Sequence, residues 1–332
     1  MPLVTMKQVL DEAIRGNYAV GAFNVNNMEQ IKGIMEAARQ TKSPVILQAS
    51  RGARKYAGRR FLRHLILAAI EEYPEIPIAM HLDHGNNLQS CIEAIEDGFT
   101  SVMIDGSLAE DGKTPAPYDY NLNVTRQVVL YAHERGVTVE GELGCLGGIE
   151  DGVGSGEVKL ADPDQAVEFA EKTGVDALAL GFGTSHGAYK FKKEPKLAYH
   201  IVEKVHQHRP DLPIVSHGSS SVPRDLVDRI NAFGGHMPNA MGVPLSDLVR
   251  SIDSGVRKIN IDTDTRLGVT GVIREVFAKQ PDKFDPRDYL KPAMEEITRI
   301  VAERMRAFRT AGHAGDYAPV SLGDMKKAYT RK

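Results

Sequence analysis

The sequence predicts a (β/α)8 barrel. Two observations carry that expectation. Eight short runs rich in apolar and β-branched residues recur along the 332-residue chain, with helical patterns between them, and each run ends in a polar or glycine-rich turn. Parallel strands of a barrel are covered by helices outside and packed inside, so they read as near-continuous apolar segments. A doubly wound sheet is the alternative. The count of eight, and the polar clusters at the C-terminal ends of the runs, favour the barrel, because that end is where the architecture carries its active site.

The runs are AVGAFNV (19–25), PVILQAS (44–50), IPIAMHLDH (76–84), SVMIDG (101–106), VTVEGELG (137–144), ALALGFG (177–183), LPIVSHG (212–218) and VRKINID (256–262). Between them lie patterns of period near 3.6, with Leu62, Leu65, Ile66, Ala69 and Ile70 on one expected face and Leu88, Ile92 and Ile95 on another. Helix ends are marked too. Asp162 is an expected N-cap before Pro163, Gly174 follows the last turn of that helix, and Gly98 closes an earlier one.

Three stretches exceed a bare barrel. An N-terminal helix with Val9, Leu10, Ala13 and Ile14 on one face is expected to close the barrel bottom. Residues 231–246 form an insertion between two helices ahead of the eighth run. After that run comes a long helix with Ile297, Ile300, Val301, Met305 and Phe308 on one face, more apolar surface than a lone barrel helix uses, and a second subunit is the expected cover. We read residues 1–332 as one domain.

Composition narrows the function classes. Hydrophobic residues make up 42%, enough for a large core, and 41 Lys and Arg against 44 Asp and Glu leave a formal charge of -3. No basic footprint for nucleic acid or an anionic membrane follows, no apolar run approaches a bilayer span, and the amphipathic N-terminus is unlike a signal peptide. Two cysteines, Cys91 and Cys145, suit a reducing compartment. The expectation is a soluble cytoplasmic protein.

Chemistry concentrates at the ends of the runs. His84 in HLDHG, His186 in TSHGAYK and His217 in VSHGSSS each sit beside glycine after a different strand. Any one alone reads equally well as a capped surface side chain. Together, in a barrel whose strand ends converge, three neutral imidazoles would leave a divalent cation its double charge and an open position, as a Lewis acid needs. His81, two residues before Asp83, reads instead as a side chain bonded to a neighbour.

Carboxylates surround the same point: Asp83, Asp105, Glu140 and Glu142, with Glu150 in GCLGGIEDGVGSGE. The glycines from Gly147 to Gly156 suggest a segment that closes over substrate, so that Glu150 would arrive with it as a proton-transfer group. Gly218-Ser219-Ser220-Ser221 after the seventh run and Asn260 to Thr265 after the eighth offer backbone amides and hydroxyls to a phosphate. Ordinary helix capping would use the same residues. Metal, phosphate and carboxylates together allow aldol cleavage, isomerisation or hydrolysis.

At these residues the chain resembles the class II, zinc-dependent fructose-bisphosphate aldolases over nearly its whole length. The motifs are AFNVNN, IPIAMHLDHG, VEGELGCLGGIED, GTSHGAYK, SHGSSS and NIDTDTRL, in family order, and the insertion before the eighth run is similar to that of the longer, second subgroup. The resemblance implies reversible cleavage of fructose 1,6-bisphosphate through a zinc-stabilised enediolate, with His84, His186 and His217 on zinc. It implies Asp83 as acid/base at the C4 hydroxyl, Glu150 as the proton exchanger at C3, and Asp105 and Glu142 as ligands of a second or displaced metal ion. Gly187, Gly218, Ser219, Ser220, Asn260, Asp262 and Thr263 match contacts of dihydroxyacetone phosphate. Ser50 matches a contact of glyceraldehyde 3-phosphate, and Arg287 an arginine that reaches the distal phosphate from a neighbouring subunit of a homo-oligomer, a dimer or tetramer.

A monovalent cation, Na+ or K+, near the phosphate is also implied. The chain departs from some relatives in having Ile149-Glu150-Asp151 where they have two successive glutamates, which leaves Glu150 alone for the base role. A Schiff-base aldolase would use a desolvated lysine at a strand end; the nearest, Lys258, lies within the eighth run. Sedoheptulose 1,7-bisphosphate is a further expected substrate. The alternatives are a tagatose-bisphosphate aldolase, a metal-dependent sugar-phosphate phosphohydrolase and a sugar-phosphate sensor.

Overall fold

The computed structural model describes residues 3–144, 159–189, 191 and 195–330. In chain order the elements are β1 (Leu3–Val4), α1 (Met6–Gly16), β2 (Val20–Asn24), α2 (Met28–Thr41), β3 (Val45–Ser50), α3 (Arg51–Ala57), α4 (Arg59–Glu72), β4 (Ile78–Gly85), α5 (Leu88–Glu96), β5 (Ser101–Ile104) and α6 (Tyr118–His133). There follow β6 (Thr138–Leu143), α7 (Pro163–Thr173), β7 (Ala177–Leu180), α8 (Tyr199–His208), β8 (Ile214–Ser216), α9 (Arg224–Ala232), α10 (Leu245–Ser254), β9 (Val256–Ile261), α11 (Thr263–Lys279), α12 (Pro286–Ala307) and α13 (Leu322–Thr330). Strands β2 to β9 are the eight expected runs. All pair in parallel, and pairings β2–β9 and β4–β5 close the ring into a (β/α)8 barrel.

Period-two alternation explains the layers. On β3, Val45, Leu47 and Ala49 join the cluster under the helices, while Ile46 joins Val20, Ala22, Ala79, Met103, Ala177, Ala179 and Val215 inside. Met6, Val9, Leu10 and Ala13 of α1 pack on that inner cluster, so the N-terminal helix plugs the barrel bottom as expected; Ile14 is only half-buried. Thr5 caps α1 by accepting from the Gln8 amide at 3.4 Å.

Strand β1 was not expected. Strand β5 begins opposite His81, which leaves the lower edge of β4 open, and Leu3 and Val4 pair there with Ile78 and Ala79. Two residues are too few to show a period. On α5 the buried side chains are Cys91 and Ala94, with Leu88 and Ile95 against the core, and Ile92 turns aside from the expected face. The Asp162 cap, with Pro163 first in α7 and Gly174 left-handed after it, is as the sequence indicates. Residues 233–244 join α9 to α10 as the expected insertion.

The expectation for α12 is corrected. Ile297, Ile300, Val301, Met305 and Phe308 are at most 1% exposed within the single chain, packed with α2 and α11 rather than waiting for a second subunit. Gly33 allows this approach: a Cβ there would lie 2.7 Å from the Ile297 Cβ. Ile297→Ala should therefore lower unfolding free energy by about 2–5 kcal/mol, read by denaturant melts at one fixed protein concentration.

Candidate active site

Successive strand residues point to opposite faces, yet Asp83 and His84 both reach the barrel mouth. A register shift between Leu82 and Gly85 and a left-handed backbone at His84, φ 51°, turn the second side chain back inward. His217 follows β8 and His186 follows β7, and the ligand atoms of the three imidazoles lie within 4.8 Å of one another. His84 Nε2 is 3.0 Å from His217 Nδ1. Two ligands of a tetrahedral ion with bonds of ~2.0–2.1 Å stand about 3.3 Å apart, so the donor set fits a divalent cation.

The other face of the His84 ring meets carboxylates. Nδ1 is 3.1 Å from Asp105 Oδ2 and 4.0 Å from Glu142 Oε2, and His84, Asp105 and Glu142 form a second group with metal-ligand spacing. Burial disfavours charge on all three, but the outcomes differ. Asp83, Asp105 and Glu142 outweigh burial at His84 and push it up to about 10, whereas burial and Asp105 push Glu142 well above the carboxylate range. Asp105 stays below that range because His84 offsets its burial. Burial and the neighbouring His84 hold His217 well below the imidazole range. The cluster thus concentrates its positive charge on His84, where a cation's charge would replace it.

Asp83 is 6% exposed. Its Oδ2 accepts from Asn24 at 2.9 Å, its Oδ1 accepts from Asn260 at 3.4 Å, and Oδ1 lies 4.0 Å from His84 Nε2. Burial raises its pKa, yet the positive His84 and the Asn24 bond bring it below the usual carboxylate value. An ionised carboxylate beside the imidazole cradle is thereby ready to accept a proton.

Beneath the cradle lies a buried polar floor. Glu140 Oε1 is 2.7 Å from His217 Nε2, and its Oε2 is 2.9 Å from Lys258 Nζ, with both side chains fully buried. His81 Nδ1 bonds Ser101 Oγ at 2.7 Å, which matches the neighbour-bonding role expected for it. Lys258 is committed to Glu140 and does not line the cavity above.

That cavity is lined by Ser50, Asp83, the three histidines, Gly218, Ser219, Ser220, Asn260 and Asp262, all anticipated from sequence. Gly218, φ 58°, is required where the loop passes Ser185, whose oxygen would be 2.5 Å from a Cβ. Ser219 Oγ donates to the His217 carbonyl at 3.1 Å, and Ser220 Oγ accepts from the Asp262 amide at 3.1 Å. The backbone amides of Ser219 and Ser220 donate to no partner among the described residues. Two such amides beside hydroxyls are a ready anion cradle.

Sequence reasoning missed Asn24, Arg51 and Gly52 in the lining, and Gln48 next to Asn24. A polar residue within an apolar run was the available signal for Asn24 and Gln48. Arg51 donates through Nε to the His84 carbonyl at 3.1 Å. Gly187 is left-handed, φ 82°, beside His186, and Thr263 opens α11; neither lines the cavity. Arg287 is not brought to it either. Its side chain is 88% exposed and pairs with Asp285. Glu150, Cys145 and the glycine-rich stretch lie outside the described residues.

A family model described as "Fructose-bisphosphate aldolase class-II" matches residues 4–313. A fructose-bisphosphate aldolase of Nostoc commune is 53% identical, over 100% of this chain and 96% of its own length. One from Giardia intestinalis is 54% identical, over 99% of this chain and 100% of its own. Among solved structures, the crystal structure of the YdjI aldolase from Escherichia coli K12 superposes with a TM-score of 0.75 at 25% identity, covering 94% of this chain and 99% of that one.

Proposed function

The chain belongs to the class II fructose-bisphosphate aldolase family, and from that premise we propose how its residues divide the work of cleaving fructose 1,6-bisphosphate into dihydroxyacetone phosphate and glyceraldehyde 3-phosphate. The observation that carries the proposal is the ionised Asp83 carboxylate 4.0 Å from a three-imidazole cradle, with a phosphate-type loop in the same cavity. His84, His186 and His217 would hold a divalent cation, zinc in this reading. Such a cation supplies positive charge to the ketose oxygens at C2 and C3, and hence to the negative charge that bond cleavage leaves at C3.

Asp83 takes the C4 hydroxyl proton as the C3–C4 bond breaks and returns it in condensation. Asn24 and Asn260 aim its two oxygens. Glu150 is proposed to carry the C3 proton. Asp105 and Glu142 are proposed as ligands of a second or displaced ion.

The phosphate of the dihydroxyacetone half sits on the amides and hydroxyls of Gly218, Ser219 and Ser220, with Gly187, Asn260, Asp262 and Thr263 around it and a monovalent cation, Na+ or K+, nearby. Ser50 meets the glyceraldehyde 3-phosphate half. Arg287 is proposed to reach the distal phosphate of a neighbouring subunit in a dimer or tetramer; its exposure, and that of Phe284 at 90%, suits a segment offered to another chain. Sedoheptulose 1,7-bisphosphate, identical at the reacting carbons, is proposed as a further substrate.

No helix among the described residues is long and apolar enough to cross a membrane. We place the enzyme in the cytoplasm on its two cysteines, of which Cys91 is free and buried. The whole chain is taken as one catalytic domain.

Chelation tests the metal role. EDTA should abolish cleavage, zinc or cobalt should restore it, and borohydride with substrate should leave it intact, because Lys258 is tied to Glu140. Inactivation by borohydride would overturn the reading. Release of inorganic phosphate without triose phosphate would point to a phosphohydrolase instead.

A further inference from the structure

Neither Asp264 nor Arg304 touches the cavity, yet together they hold one end of the loop that lines it. Asp264, the second residue of α11, is fully buried. Its Oδ1 accepts from the Val222 amide at 2.8 Å and its Oδ2 from the Ser221 amide at 3.1 Å. The same Oδ2 accepts from Arg304 Nε at 3.2 Å and Nη2 at 3.1 Å, and Arg304, on α12, is 2% exposed. A buried carboxylate of this kind is tolerable only with a partner charge, and the guanidinium provides it.

What the carboxylate holds is strained. Val222 has φ 50°, a left-handed conformation that a β-branched residue keeps only when its surroundings enforce it. The opposite side of the loop is braced as well. Val243 of the insertion donates to the Ser220 carbonyl at 3.2 Å, and a Cβ on Gly242 would lie 2.3 Å from that oxygen. Between these two supports stand Ser219 and Ser220, whose amides have no partner among the described residues. Their direction depends on where Ser221 and Val222 are pinned.

We propose that Asp264 and Arg304 form a clamp that keeps residues 218–222 in anion-binding geometry, which makes Arg304 a positioning residue for the substrate's phosphate. The inference rests on the reading of this loop as the phosphate cradle. Without Arg304, Asp264 loses its countercharge and its fixed position, and releases the two amides. Val222 then relaxes from its left-handed backbone, and the amides of Ser219 and Ser220 turn from the cavity. The reacting end of the site, around Asp83 and His84, has no contact with the clamp.

The test uses the full-length, metal-loaded enzyme and inorganic phosphate as the probe. In the wild type, phosphate should slow hydrogen exchange at the Ser219 and Ser220 amides; no protection there would remove the cradle reading itself. Arg304→Met should raise the inhibition constant of phosphate and the KM of the ketose about tenfold, with a smaller change in kcat, and should speed exchange at the Val222 amide. Ile297→Ala weakens the same helix without touching Asp264, and it should move neither phosphate binding nor Val222 exchange. Should Arg304→Met not fold, Arg304→Lys keeps the charge, loses the two-nitrogen contact and reads the same quantities. Phosphate protection of the wild-type loop, combined with unchanged phosphate binding and Val222 exchange in the Arg304 variant, would overturn the clamp alone. An equal rise of the inhibition constant in Ile297→Ala would reduce Arg304 to a merely structural residue and overturn it too.

Discussion

Asp83→Ala should lower kcat for ketose cleavage by roughly 100- to 10,000-fold, the range for loss of a positioned acid/base, while metal content stays near normal. The size follows from how completely the carboxylate is prepared. It is 6% exposed, and its two oxygens are held by Asn24 and Asn260. Water entering the space left by the side chain lacks that orientation and basicity. Asp83→Asn keeps the shape and some of the hydrogen bonds but not the base, so it should fall in the same range. Steady-state cleavage assays with metal analysis of the same samples check this; wild-type turnover in Asp83→Ala would remove the proton role.

His217→Ala should act on the metal before the chemistry. The imidazole joins two layers, facing His84 Nε2 at 3.0 Å through Nδ1 and Glu140 at 2.7 Å through Nε2. Outer-shell partners of a ligand are worth roughly 10- to 100-fold in metal affinity, and a direct ligand should be worth more. Removing His217 also leaves Glu140 and Lys258 as a buried pair beneath an opened cavity. Dialysed protein should therefore hold little metal and regain some activity only at raised zinc. Full metal retention after dialysis would mean that His84 and the carboxylates Asp105 and Glu142 hold the ion without it.

Much of this was legible in the sequence because parallel barrel strands are simple. Most of their residues below the last few are apolar, so the runs stand out, and the polar residues that follow them must converge once the ring closes. His84, His186, His217 and Asp83 could be placed together on that basis. Asn24 and Gln48 were harder, since a polar residue inside a run faces the barrel or the helices according to parity, and parity is fixed only by pairing. The α12 face was misread for a related reason. Its apolar surplus is real, but the receptor is α2, with Gly33 clearing the way some 260 residues earlier in the chain, and no local pattern joins them. Arg304 and Asp264 are likewise 40 residues apart, each an ordinary charged residue until the fold buries both.

The closing pair of strands sets a timetable for making the protein. β2 ends at Asn24 and β9 at Ile261, and their register is what shuts the ring. At ribosomal rates of about 5–20 residues per second, the first strand waits on the order of 10 to 50 seconds for its last neighbour. Throughout that interval the three imidazoles are synthesised one after another, with Asn260 and Asp264 still to come. Nascent chains should thus hold metal only weakly and loosely until the final strand arrives, and a cell short of helper chaperones would meet these chains as half-built, sticky arcs rather than as rings.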